Sequence, residues 1–174
     1  MNTQQLVQVL QTDRATKPYF QGVFPSDQLP LSISHYPAAV VANVDPKGQP
    51  GSHWCAFYFT KDRKGEFFDS YGLQPKDYTF AFQDFLTQNS RTWTYNKKHL
   101  QSIDSNVCGH YCLYFLIHRC RNLTMKHIVA RFKGHLQQND RFVYRFITKH
   151  FGHIYHNIKK HVAHQTSGFN KKHV

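Results

Sequence analysis

A chain of 174 residues with 40% apolar and 16% aromatic content is long enough for one domain with a substantial core, and its aromatic load argues against disorder. No run approaches the ~18 apolar residues of a membrane-spanning helix, and the opening MNTQQLVQVLQTDR lacks the order of a secretory signal, so neither is expected. Lys plus Arg number 22 against 10 for Asp plus Glu, net +12, and the excess is one-sided: residues 108–174 hold 12 basic side chains and one acid, Asp140. Such a field suits a polyanion, most simply nucleic acid, and its plainer reading is a solubilising surface.

Leu6, Val9 and Leu10 predict a first helix with Thr3 as N-cap. Pro18 to Pro37 is punctuated by proline without a clear period and reads as loop. Ala38 to Val44 predicts a strand, and Pro46-Lys47-Gly48 a turn. His53 to Thr60 is almost continuously apolar, as expected of a strand buried on both faces. Asp62 to Gly65 reads as a turn and Glu66 to Asp69 as the returning strand of a hairpin. Tyr78, Phe82, Phe85 and Leu86 predict a helix over about 76–89, and Thr92 to Asn96 has strand propensity. Cys108 to Cys120 is apolar almost all round, which predicts a buried central helix. Thr124 caps a short helix carrying Ile128, Val129 and Phe132. A long helix follows, with Phe142, Phe146, Phe151, Ile154, Ile158 and Val162 inward and Arg141, Arg145, Lys149, His153, His156 and Lys160 outward. The expected whole is one α+β domain, 1–174, whose residues 165–174 form a flexible tail.

Of the four cysteines, Cys108, Cys112 and Cys120 fall on one helix and Cys55 on a strand. That is not a disulfide framework, so reduced thiols and an intracellular compartment are expected.

Three local pieces carry chemistry. Gly51-Ser52-His53-Trp54 heads the buried strand, Phe67-Phe68-Asp69-Ser70-Tyr71-Gly72 ends its partner, and Gln101-x6-Cys108-Gly109 opens the buried helix. On a hairpin the start of one strand neighbours the end of the next, so His53 and Asp69 can face each other. A helix N-terminus and a nearby imidazolium lower a thiol pKa, as a nucleophilic Cys108 requires. The carboxylate orients the imidazole. The Gln101 amide and the Cys108 backbone N–H could form an oxyanion hole, and Gly109 lets the backbone approach substrate closely. Each residue alone has a plainer reading: a structural His, a small apolar Cys, a turn Asp, a solvated Gln. The ordered set is the specific signal.

That set resembles the adenain family, the adenovirus-type maturation cysteine proteases, related to the SUMO-specific proteases. Pro18-Tyr19-Phe20-x-Gly22 is similar to the family's N-terminal signature, Gly51-x-His53-Trp54-x-Ala56-Phe57 to its His motif, and Cys108-Gly109-x-x-Cys112 to its nucleophile motif. Asn139-x6-Phe146-x3-His150 is similar to its C-terminal helix, so the resemblance runs over nearly the whole chain. It implies a papain-like core in His-Asp-Cys chain order, its central mixed sheet packed by the helix that carries the nucleophile. It implies His53 as general base, Cys108 as nucleophile, Asp69 in the carboxylate position and Gln101 in the oxyanion position. Trp54 would shape a narrow channel beside His53 and Gly109.

The implied activity is an endopeptidase that cuts viral or virus-like precursor proteins after a small residue, Gly foremost, as particles mature in the host nucleus or virion. DNA is implied as an activating cofactor bound without regard to sequence, with Arg141, Arg145, Lys149, Lys159 and Lys160 as its contacts. The chemistry itself is expected to need no cofactor, and the protein to act as a monomer away from membranes. The chain departs from adenain twice. Asp69 stands where adenain has Glu, although SUMO-specific proteases use Asp. Adenain forms a disulfide with a viral peptide cofactor through a Cys in the stretch matching Asn89 to Leu100, which has none here; a disulfide-linked activating peptide is therefore not expected, and a non-covalent one stays open.

A protease removing ubiquitin-like tails would use the same triad. From another class comes a non-catalytic zinc or nucleic-acid module, with Cys108, His110, Cys112, His118 and Cys120 as ligand types. Structural zinc sites use two separated pairs with short knuckles. These five residues lie along one apolar helix, so no metal is expected. The six histidines after Arg145 read as a polar helix face that gains charge below about pH 6.5.

Overall fold

The computed structural model describes the backbone over residues 1–169 and side chains over residues 1–154. The apolar runs of β2 (Ala38–Asn43) and β3 (Trp54–Phe59) pair antiparallel, Ala38 opposite Phe59 and Asn43 opposite Trp54. β4 (Lys64–Phe68) returns antiparallel beside β3, with Phe68 opposite Ala56. β1 (Phe20–Phe24) and β5 (Thr92–Tyr95) flank them in parallel, so the sheet is mixed and its order is β1-β2-β3-β4-β5.

Alternate residues of a strand point to opposite faces, and here both faces are covered. Ala39, Val41, Ala56, Tyr58 and Phe68 pack into one core with α1 (Thr3–Thr12), α4 (Cys108–Arg119), α5 (Met125–Val129) and α6 (Leu136–Phe169). Ala38, Val40, Cys55, Phe57, Phe59 and Phe67 pack into a second with α3 (Phe80–Asn89). Phe57 meets Phe82 and Phe85 edge-on at 5.3 Å, and Phe68 stacks on Phe115 of α4 at 4.5 Å. The result is a three-layer α+β arrangement in which α4 is the buried central helix, as its all-round apolar sequence predicts. Among the described residues, no helix is long and apolar enough to cross a membrane.

Five local expectations change. Asn2, not Thr3, caps α1: its side chain accepts from Gln5 N (2.9 Å) while the Gln5 side chain accepts from Asn2 N (3.0 Å), a reciprocal box that Thr3 could not close. The stretch read as loop from Pro18 contains β1, whose half-buried FQGVF has no local period and is a strand only because β2 pairs with it. The helix expected over 76–89 is two pieces, α2 (Pro75–Tyr78) and α3, because extended Thr79 ends one and caps the other through Ala81 N. On α6 the buried apolar residues are Val143, Ile147, Phe151 and Ile154, whereas Phe142 is 44% exposed. Contact with α1 and α4 sets that face, and Phe142 and Phe146 flank it, meeting the Tyr114 ring edge-on at 5.3 and 5.0 Å. Ile158 and Val162 lie outside the residues described at side-chain level. α6 takes in 165–169 of the expected tail, and 170–174 lie outside the described residues.

Candidate active site

The hairpin does what its spacing predicts. His53 precedes β3 and Asp69 follows β4, and His53 Nε2 lies 2.6 Å from Asp69 Oδ1, with both residues buried. Asp69 is held on every side. Its Oδ2 accepts from Leu73 N (2.9 Å), its N–H donates to Asn96 Oδ1 (2.9 Å), and its carbonyl accepts from Asn96 Nδ2 (2.7 Å). Gly72 closes that loop at φ +76, where an added Cβ would sit 2.8 Å from the Lys98 backbone. The His53 ring stacks with Tyr71 (4.8 Å) and Tyr78 (5.5 Å).

Burial alone would push the imidazole of His53 down. The hydrogen bond with Asp69 and the interaction with Cys108 outweigh it and raise the pKa to about 9. At the first residue of α4, burial pushes the Cys108 thiol up, but the His53 hydrogen bond and charge, with the backbone of Trp54 and Gly109, bring it below its ordinary value. The two shifts converge on a thiolate–imidazolium pair. The other thiols go the opposite way: burial drives Cys55 and Cys112 well up and Cys120 to about 12. Iodoacetamide at pH 7 should therefore label Cys108 well ahead of the other three thiols, as peptide mass mapping would read. Peptide turnover should decline as pH rises through about 9, where His53 loses the proton that a leaving amine needs. Equal labelling of all four thiols would contradict the pair.

Gln101 lies on the loop that leads into α4 and is buried. Its Oε1 accepts from Ser70 Oγ (2.7 Å) and its Nε2 donates one hydrogen to the Ser105 carbonyl (2.8 Å), which leaves the second hydrogen of that amide for another acceptor. Trp54 flanks Gly109 as expected, with Cδ1 3.4 Å from where a Cβ on Gly109 would sit. The rest of that space is occupied from within the chain, because Met1 Cβ and Sδ lie 3.1 and 3.2 Å from the same point. Trp54 Nε1 donates to the Met1 carbonyl at 3.1 Å. The missing side chain at 109 thus accommodates Met1 and Trp54, a packing need that the sequence reading assigned to substrate alone. Behind the nucleophile, Cys112 Sγ donates to the Trp54 carbonyl (3.2 Å) and ties α4 to β3.

Four further residues of the site were missed from sequence. Ser70 and Tyr71 follow Asp69 directly, and that adjacency was the available signal. Asn96 reads as the end of a strand. Tyr78 fits the apolar face of the expected helix and reaches His53 only because Thr79 breaks that helix.

The zinc alternative does not gather its ligands. Cys112 and His118 hydrogen-bond to backbone carbonyls. Among the described residues, the one trio of metal-ligand types with atoms near enough to share an ion is His53, Cys55 and Asp69, and two of these already bond each other. On α6, Arg141, Arg145 and Lys149 are exposed and line, with Phe142, Phe146 and His150, a shallow groove of about 500 Å³. Lys159 and Lys160 lie outside the residues described at side-chain level.

A thiolate–imidazolium pair backed by a buried carboxylate is the working centre of a cysteine protease. The chain is 30% identical over 126 residues to a protein of Acanthamoeba polyphaga mimivirus named as a thiol protease, a match that takes in 56% of this chain. The chain spans about two-fifths (41%) of the length of this curated relative. Among solved structures, the ASFV protease aligns at 20% identity and TM-score 0.40, covering 60% of this chain and 42% of that one. No family model matches the chain.

Proposed function

We propose that this chain is a cysteine endopeptidase of papain-like type in which Cys108 attacks the scissile carbonyl and His53 serves as base and then acid. Asp69 holds the imidazole in orientation, and Gln101 with the Cys108 backbone N–H receives the oxyanion. The reading rests on one observation: His53 and Asp69 are locked at 2.6 Å in a buried hairpin that meets the start of α4, with the His53 pKa driven up and that of Cys108 driven down. Attack by Cys108 Sγ forms the C–S bond, the carbonyl oxygen takes negative charge in the hole, and His53 gives its proton to the departing amine. Water, deprotonated by His53, then releases the acid and regenerates the thiol.

The substrates that fit are viral or virus-like precursor proteins cut after a small residue, Gly foremost, during particle maturation in the host nucleus or virion. The motifs shared with adenain and the similarity to a mimiviral thiol protease support that choice. Trp54 and Met1 fill the space a side chain at 109 would take, and a channel as narrow as the adenain resemblance implies would favour a residue without a side chain next to the scissile bond. A ubiquitin-like tail ending in Gly would pass the same constriction, and Asp69 in place of Glu favours that second reading of the substrate. An activating peptide would bind without a disulfide.

DNA would bind the exposed stripe of Arg141, Arg145 and Lys149 on α6. Point charges on a helix face read phosphates and not bases. A peptide-library cleavage profile with and without duplex DNA, followed by a salt titration of binding to two unrelated duplexes, tests the whole reading. Expected are cleavage after Gly and equal affinity for both duplexes, with a log–log salt slope of about −0.9 per phosphate neutralised. Combined Arg141→Gln, Arg145→Gln and Lys149→Gln should flatten that slope. Salt-independent binding or preference for one duplex would reject DNA as an electrostatic partner, and cleavage after bulky residues would reject the substrate class.

A further inference from the structure

Asp140 is the one acid among residues 108–174, and it is buried although it sits on a helix with an exposed basic face. Its Oδ2 accepts from both Ser102 Oγ and Ser102 N (3.2 Å for the latter), and its Oδ1 lies 2.9 Å from Tyr111 Oη. The same Tyr111 hydroxyl is 2.9 Å from the Leu100 carbonyl, which also accepts from Asn139 Nδ2 at 3.1 Å. Asn139 and Asp140 of α6 and Tyr111 of α4 therefore grip residues 100 and 102, the neighbours of Gln101 on either side. From below, Ser70 O accepts from Leu100 N (2.8 Å) and Gln101 N (3.1 Å), and Ser70 Oγ orients the Gln101 amide. The loop has no regular secondary structure of its own, so these bonds set where the amide stands. Tyr111 belongs to the helix that begins at Cys108, so the grip references Gln101 to the nucleophile directly.

We propose that Asp140 is a positioning residue for Gln101, holding its amide in register with Cys108 without touching substrate. This rests on the reading of Gln101 as an oxyanion donor. Donors stabilise a transition state only at the correct distance from the developing charge, and displacement by about 1 Å can cost on the order of 10²-fold in rate. A carboxylate suits this place because its Oδ2 takes both Ser102 donors while its Oδ1 shares the single Tyr111 hydroxyl hydrogen with the Leu100 carbonyl, where an asparagine would turn an NH₂ toward one of these donors.

The test compares the parent with Gln101→Ala, Asp140→Asn, and the double variant, measuring kcat and KM on a fluorogenic peptide amide with Gly before the scissile bond. Iodoacetamide labelling of Cys108 at pH 7 is followed in parallel, because alkylation needs the thiolate–imidazolium pair but no oxyanion hole. Gln101→Ala should lose about 10²–10³ in kcat. Asp140→Asn should lose about tenfold or more in kcat, with KM and the alkylation rate as in the parent. The double variant should be no slower than Gln101→Ala alone, since a residue acting through Gln101 has nothing left to position. Additive losses, an alkylation rate that falls in step with kcat, or a parental kcat would overturn the proposal. Should Asp140→Asn fail to fold, Ser102→Ala carries the same test, because it removes one of the bonds to Asp140 and leaves the carboxylate in place. The underlying reading fails in a different way: the parent would cleave no peptide, and Cys108 would label no faster than Cys55, Cys112 or Cys120.

Discussion

Replacing Cys108 by alanine should abolish peptide cleavage and leave the protein folded. The side chain stands at the first residue of α4, 7% exposed, and contributes one sulfur to the packing there. Its loss removes the nucleophile, and no other thiol can take over: Cys55, Cys112 and Cys120 all have raised pKa values, and Cys112 Sγ is engaged by the Trp54 carbonyl. The structural cost should stay within the roughly 1–3 kcal/mol of ordinary core substitutions. His53 should titrate lower in the variant, because Cys108 is one of the influences that raise it. Kinetics on a Gly-containing peptide, a thermal melt and an NMR titration of the imidazole read these three outcomes. Cleavage at the parental rate by Cys108→Ala would remove the thiol mechanism entirely. Cys55→Ala, Cys112→Ala and Cys120→Ala serve as controls that keep activity.

Asp69→Asn should lower kcat by as much as about 10⁴ while the fold persists. The carboxylate accepts from His53 Nε2 through Oδ1 and from Leu73 N through Oδ2, and it is fully buried. An asparagine offers one acceptor and one donor in the same place. If its NH₂ faces His53, Nε2 must become the acceptor and the ring proton moves to Nδ1, the tautomer that cannot take a proton from the Cys108 thiol at that nitrogen. If its NH₂ faces Leu73, two donors meet in a buried loop. Either way the imidazolium loses its strongest raising influence, so the His53 pKa should drop. Alkylation of Cys108 at pH 7 should slow with it, which separates this change from loss of an oxyanion donor. A parental kcat in Asp69→Asn would put the orienting carboxylate elsewhere. The other acids nearby in the sequence are already engaged: Asp62 pairs with Lys64 on the exposed hairpin turn (2.7 Å), Glu66 with Arg119 (2.7 Å), and Asp77 accepts from Gln74 N (2.8 Å).

Much of the centre was legible because its members sit at the ends of strongly patterned elements. The apolar run after His53 and the short returning strand before Asp69 define a hairpin whatever surrounds it, so a 2.6 Å contact across sixteen residues could be read from spacing. The run from Cys108 is apolar on every side, which makes it a buried helix and puts the thiol at its start. Gly109 and Trp54 lie side by side, but Met1 packed against both could not be foreseen, since no pattern ties the first residue to the hundred-and-ninth.

What the amino-acid order determined by itself was the local half: which runs become β2, β3 and α4, the His53–Asp69 pairing that follows from a hairpin, and the one-sided charge of the last third. Tertiary structure alone decided the rest. β1 is a strand because β2 offers it an edge. Tyr78 reaches His53 because Thr79 breaks a helix whose apolar period runs straight through it. The buried apolar face of α6 is Val143, Ile147, Phe151 and Ile154 because α1 and α4 meet it there. Asp140, a lone acid in a basic helix, reads as an exposed residue until the fold brings Ser102 and Tyr111 to it. Periodicity reports the burial of a segment against an average neighbour, whereas hydrogen-bond donors 29 and 38 residues away leave no trace in the segment they serve.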